Sequence, residues 1–148
     1  MLIGQGHIQH RPIWTSSGSA TVDSIIPTIL QWLKECDESH TESCPSQPGL
    51  ELPVLPSRVI DVGESDGSRE PYLFVPDGCC GRYTTLSHCW GKHLPLKTTM
   101  STLRTRRHAI PFETLPKTYR DAVSITRSLG IRYVWIDSLC IVQGKTTT

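Results

Sequence analysis

The sequence predicts an α/β fold: a partial parallel sheet with flanking helices, plus an N-terminal helix and a β-hairpin. Two observations carry this reading. Residues 115–130 repeat apolar side chains at helical spacing, and short β-type runs stand on either side, at Tyr83 to Ser87 and Tyr133 to Asp137. Strand, connection with helix, strand is the βαβ unit, which is normally parallel and right-handed. With 148 residues, the chain makes one small domain at most.

Each element has its own justification. Residues 1–22 are rich in Gly, Ser and Thr without periodicity, which predicts a disordered N-terminal tail. Ile25, Ile26, Ile29, Leu30 and Leu33 then recur at three- and four-residue spacing, which predicts an amphipathic helix from Asp23 to about Cys36 with Pro27 in its first turn. Pro45, Pro48, Pro53 and Pro56 make the following stretch an irregular connector. Arg58–Val62 and Tyr72–Val75 flank a turn-rich stretch and predict a hairpin. One or two helical turns are expected between Thr99 and Arg107. In residues 115–130, Leu115, Tyr119, Ala122, Val123, Thr126 and Leu129 share one face, Pro116 stands in the first turn and Gly130 ends the helix as a left-handed cap. Tyr133 to Ile136 is continuously apolar, as in a strand buried on both faces.

Several function classes are excluded or disfavoured. No run approaches the roughly 18 apolar residues of a membrane helix. The N-terminus has no basic residue ahead of an apolar core, so no secretory signal is read there and an intracellular chain with reduced thiols is expected. Residues 1–73 carry 4 basic against 10 acidic side chains, and residues 74–148 carry 11 against 4. A negative half and a positive half point to an anionic ligand or to mutual packing, with Arg120, Arg127 and Arg132 as candidate anion contacts. The 10 aromatic residues are not interleaved with basic ones, so nucleic-acid binding is not expected.

Chemistry should sit at the carboxyl ends of the parallel strands, where open α/β sheets bind ligands. Two clusters fall there, Ser87-His88-Cys89-Trp90-Gly91 and Asp137-Ser138-Leu139-Cys140. If the strands are neighbours, Ser87, His88, Asp137 and Ser138 face one pocket. A plainer reading makes Asp137 and Ser138 caps of a following turn, His88 a donor to a backbone carbonyl and Trp90 a core residue. Cys36, His40 and Cys44, and Cys79-Cys80 with His88, Cys89 and His93, have zinc-type ligands but no standard finger spacing, so no metal is assigned. His88 and Cys89 point apart on a strand and make a poor nucleophile–base pair. Gly144-Lys145-Thr146 ends like a phosphate loop, but Leu139 stands where that motif needs glycine.

Three ordered blocks, Tyr83 to Gly91, Leu115 to Ala122 and Thr126 to Gln143, resemble the signature of the fungal heterokaryon incompatibility (HET) domain. Trp32-Leu33 with Cys36, His40 and Cys44, and then Arg58 to Asp61, looks like the leader that precedes that domain. The resemblance divides the chain into a tail (1–22), a leader helix and Pro-rich connector (23–56) and the N-terminal part of a HET domain (57–148, core motifs 83–143), incomplete at its C-terminus. It implies a TIR-like, flavodoxin-like sheet, a cytoplasmic location and a role in non-self recognition and programmed cell death. The implied partners are other HET-system or sensor proteins or further copies of the chain, with no nucleic acid, no membrane and no required cofactor.

Mapped onto this sequence, Ser87, His88, Cys89, Trp90, Gly91, Arg120, Asp121, Trp135, Cys140 and Gln143 become ligand-binding candidates, and Asp137 and Ser138 catalytic ones. The distant TIR relation implies NAD as a substrate of the complete domain. Family members use a helix-borne glutamate after Gln143, where this chain has Gly-Lys-Thr-Thr-Thr. The expectation is an incomplete copy without its own catalysis. An NAD-cleaving enzyme and a zinc-stabilised interaction module are the alternatives.

Overall fold

A computed structural model describes residues 22–39, 52–90 and 96–144. The elements run α1 (Val22–Ser39), β1 (Val59–Asp61), β2 (Tyr72–Phe74), β3 (Tyr83–Leu86), α2 (Met100–Arg106), a 3-10 turn (Phe112–Thr114), α3 (Lys117–Ser128), β4 (Tyr133–Ile136) and α4 (Asp137–Cys140). The sheet order is β2-β1-β4-β3. β3 and β4 are parallel with Thr84 opposite Val134 and Leu86 opposite Ile136, while β1 is antiparallel to both β2 and β4. The α/β fold and the parallel unit are therefore present, but the hairpin extends the same sheet, which makes it mixed.

The core lies where α3 and α4 meet the sheet. Ile60, Leu73, Val123, Val134, Ile136 and Leu139 are all fully buried there. The expectation that β4 is buried on both faces is corrected: Val134 and Ile136 are buried, and Tyr133 and Trp135 are half-buried. Tyr133 instead stacks on Phe74 with ring centroids 5.7 Å apart. The α3 helix starts two residues later than its apolar spacing suggests, because Pro116 stands at the N-cap with φ −54° and Leu115 caps the preceding 3-10 turn. Gly130 has φ +68° just past the helix, as a left-handed cap should. The α1 helix runs three residues beyond Cys36, and Pro27 lies inside it rather than in its first turn. The predicted tail lies outside the described residues, apart from Val22.

Polar ties hold the layers in register. Thr126 donates to the carbonyl of Ala122, so the 2.7 Å contact between Thr84 and Thr126 runs with Thr84 as donor and fixes β3 to α3. Arg127 donates to the carbonyls of Val62 at 2.8 Å and Arg69 at 3.0 Å, joining α3 to the hairpin turn. Gly63 in that turn has φ +77°, and a Cβ there would meet the Arg69 carbonyl oxygen at 2.7 Å, so no other residue fits without a shift.

At the end of β1, Asp61 is 1 % exposed. Its carboxylate accepts from Arg132 Nε and the Tyr72 hydroxyl, both at 2.9 Å, and from the Gly63 N–H at 2.9 Å. Removing one side of a buried ion pair costs roughly 3–5 kcal/mol. Because Arg132 is half exposed, Arg132→Ala should lower the unfolding free energy by about 2 kcal/mol. Arg120→Ala, which removes an exposed pair with Glu113, should cost under about 1 kcal/mol. Urea denaturation of both variants checks this, and equal losses would deny Asp61 its special position.

Candidate functional site

The parallel pairing of β3 and β4 brings the two segments that follow them to one edge of the sheet. Immediately after β4 the chain turns into α4, where the Asp137 carboxylate accepts from the Ser138 N–H at 2.6 Å. After β3 it runs outward through Ser87 to Trp90. The indole Nε1 of Trp90 donates to Asp137 at 2.8 Å, so the two segments are joined directly. Trp90 is 39 % exposed and is not the core residue of the plainer reading.

Below this contact lies a chain of hydrogen bonds whose direction is fixed by elimination. Ser138 Oγ donates to the carbonyl of Leu96 at 3.0 Å, since a carbonyl can only accept. The 2.7 Å contact with Tyr119 then has the phenol as donor. With its proton spent, Tyr119 accepts from His88 Nε2 at 3.1 Å. His88 is thereby assigned as donating from Nε2, and its buried Nδ1 has no partner among the described residues. His88 thus meets a phenol hydroxyl and not the backbone carbonyl of the plainer reading.

A strap from the other side closes the cluster. The fully buried Thr98 donates its N–H to the carbonyl of Ser138 at 2.9 Å and accepts from the Gln143 N–H at 2.6 Å. Arg106 donates to the Thr98 hydroxyl at 2.9 Å, and burial pushes its guanidinium below arginine's ordinary value. Among the described residues no carboxylate pairs with it. Tyr119 titrates above the usual phenol range because it is buried, with Asp137 adding to the rise and Ser138 and Arg106 opposing it.

The structure gathers some sequence candidates and separates others. His88, Trp90, Asp137, Ser138 and the backbone of Gln143 belong to the cluster. Ser87 and Cys89 stand beside it, exposed. Trp135 packs half-buried against the core, and Cys140 is buried, its Sγ accepting from the Ile136 N–H at 3.4 Å. Arg120 pairs with Glu113 at 3.1 Å and Asp121 with Lys117 at 2.7 Å, both toward solvent. Gly91 lies outside the described residues. Arg127 is engaged by the carbonyls of Val62 and Arg69, and Arg132 by Asp61. Tyr119 and Arg106 join the cluster without having been singled out in the sequence. The first was hidden as one more apolar residue on the α3 face, the second inside the Arg-Thr-Arg-Arg run.

Residues 83–148 match the family model described as Heterokaryon incompatibility protein (HET). This part of the chain is similar to that family. The match takes in every element of the cluster, from β3 through α4, while β1 and β2 precede it. No curated protein and no solved structure matches the chain. Among the described residues of the HET segment and the elements before it, no group of three His, Cys, Asp or Glu side chains is placed to hold a metal ion. His40, Cys44 and His93 lie outside those residues. No helix among the described residues is long and apolar enough to cross a membrane.

Two measurements follow from this geometry. Tyr119→Phe removes the central hydroxyl and should cost about 1–2 kcal/mol in urea denaturation while the fold persists. Burial also pushes the Cys140 thiol from 9.0 up to about 11 and raises Tyr119 and Tyr72. These groups hold their protons more tightly folded than unfolded, so their contribution is intact below pH 9.0 and fades as pH climbs toward 11. Alkylation at neutral pH should mark exposed Cys79, Cys80 and Cys89 readily and Cys140 only after unfolding.

Proposed function

We propose that the chain is a fungal non-self recognition and cell-death signalling domain that acts in the cytoplasm by binding rather than by its own catalysis. Its partners are other HET-system or sensor proteins, or further copies of itself, and it requires no cofactor. One observation carries the reading: the Tyr119 and Ser138 hydroxyls and the Asp137 carboxylate are taken up by groups of the protein itself. Ser138 is fully buried, and its hydroxyl both donates and accepts within the protein. A nucleophile or proton donor must instead reach its substrate. Asp137 is held by the Trp90 indole and by its own turn. Such a network rigidifies the edge of the sheet and presents the indole and the exposed Cys89 as a recognition surface.

A second reading is TIR-like cleavage of NAD, and Arg106 favours it. A half-buried guanidinium without a carboxylate partner suits the phosphates of a dinucleotide. Cleavage builds oxocarbenium-like charge on the ribose, which needs a carboxylate in contact with it. Asp137 is the one carboxylate in this cluster among the described residues, so this reading requires a further glutamate.

Purified protein incubated with NAD should release no nicotinamide, and induced expression in fungal hyphae should kill cells in a way that Trp90→Ala abolishes. Nicotinamide release that disappears in Asp137→Ala would overturn the binding role in favour of the enzyme.

A further inference from the structure

A cavity of about 640 Å³ opens between the residue before β1, the start of α2 and the segment that follows α4. Arg58, Thr99, Ser101 and Gln143 supply its polar groups, and Met100, Leu103 and Val142 its apolar walls. Among the described residues no carboxylate lines it. Arg58 stands just before β1, and its Nε donates to the carbonyl of Cys140 at 2.7 Å. That bond holds the guanidinium by its inner edge. Its two terminal nitrogens have no partner among the described residues, and such a pair matches the two oxygens of a carboxylate.

We propose that this cavity binds a monoanionic amphiphile, a carboxylate carried on an apolar chain. The charge is set by Arg58, since among the described residues no second cation lines the walls to balance a phosphate monoester of nearly two charges. The apolar chain is set by Met100, Leu103 and Val142, and the volume falls within the range of small-molecule sites, roughly 300–1,000 Å³. Gln143, joined through its N–H to Thr98, links occupancy here to the strap that also carries Arg106 and Ser138.

The test is calorimetric titration of the purified chain with sodium octanoate, and with octanol and octyl phosphate as probes of charge. Saturable octanoate binding, weakened roughly tenfold or more in Arg58→Gln, is expected because a charge-assisted bidentate contact is lost. Met100→Glu keeps the test independent of folding, because Met100 is 74 % exposed. It places a negative charge on the wall and should weaken octanoate while leaving the circular dichroism spectrum unchanged. Equal binding of octanol would reduce the cavity to an apolar groove, tighter binding of octyl phosphate would make it a phosphate site, and no saturable octanoate binding would remove it. Each of these three results overturns the proposal.

Discussion

The sheet depends on one buried carboxylate. Asp61 closes β1, and its oxygens collect the Tyr72 hydroxyl from β2, the Gly63 N–H from the hairpin turn and Arg132 from the entry to β4. It ties β1 to its own hairpin and, across 71 residues of sequence, to the entry of β4. Burying a carboxylate this deeply is costly, and a hydrophobic replacement of similar shape could match the stability. What it supplies is position. A slip of one residue in the β1–β4 pairing would take Asp61 off Arg132 and reverse the faces of Val134 and Ile136.

The position of β4 decides the site, because α4 begins on the next residue. Asp137 and Ser138 are both engaged: the carboxylate of the first accepts from the Ser138 N–H and the Trp90 indole, and the second is held between Tyr119 and the Leu96 carbonyl. The network has a direction from His88 through Tyr119 and Ser138 to Leu96, and it ends on a carbonyl that cannot pass the proton on. It is built to hold. Its unsatisfied end is His88 Nδ1, so any change that brings a donor to this edge would be felt first there.

How much of this was legible in the sequence follows from the range of the interactions. The α3 helix, Gly130 and the β3–α3–β4 order are local or near-local in origin, and periodicity with turn chemistry gives them. Cluster residues Trp90, Asp137 and Ser138 could be located because parallel strands bring their carboxyl ends together. The side of the sheet on which β1 would pair was not legible, since a hairpin pattern is the same alone or joined to a larger sheet. The half-exposure of Trp135 and Tyr133 was hidden for a similar reason: a continuous apolar run reads as buried on both faces until the neighbours are known. Tyr119 looked like core because it is core, with 2 % exposure, and its function lies only in where its hydroxyl ends.

The charge split along the chain finds its explanation in the same geometry. Acidic residues of the first half reach into the second: Asp61 takes Arg132, and Glu70 accepts from the Phe112 N–H at 2.6 Å. Glu113 and Asp121 neutralise Arg120 and Lys117 within the second half. At the carboxyl edge two guanidinium groups have no carboxylate partner among the described residues, Arg106 from the second half and Arg58 from the first. A cation that is drawn out of water without an ion partner costs free energy unless something negative visits it. One cation from each half of the chain thus stands without an ion partner among the described residues where parallel α/β sheets take their ligands, which suits an anionic ligand at this edge.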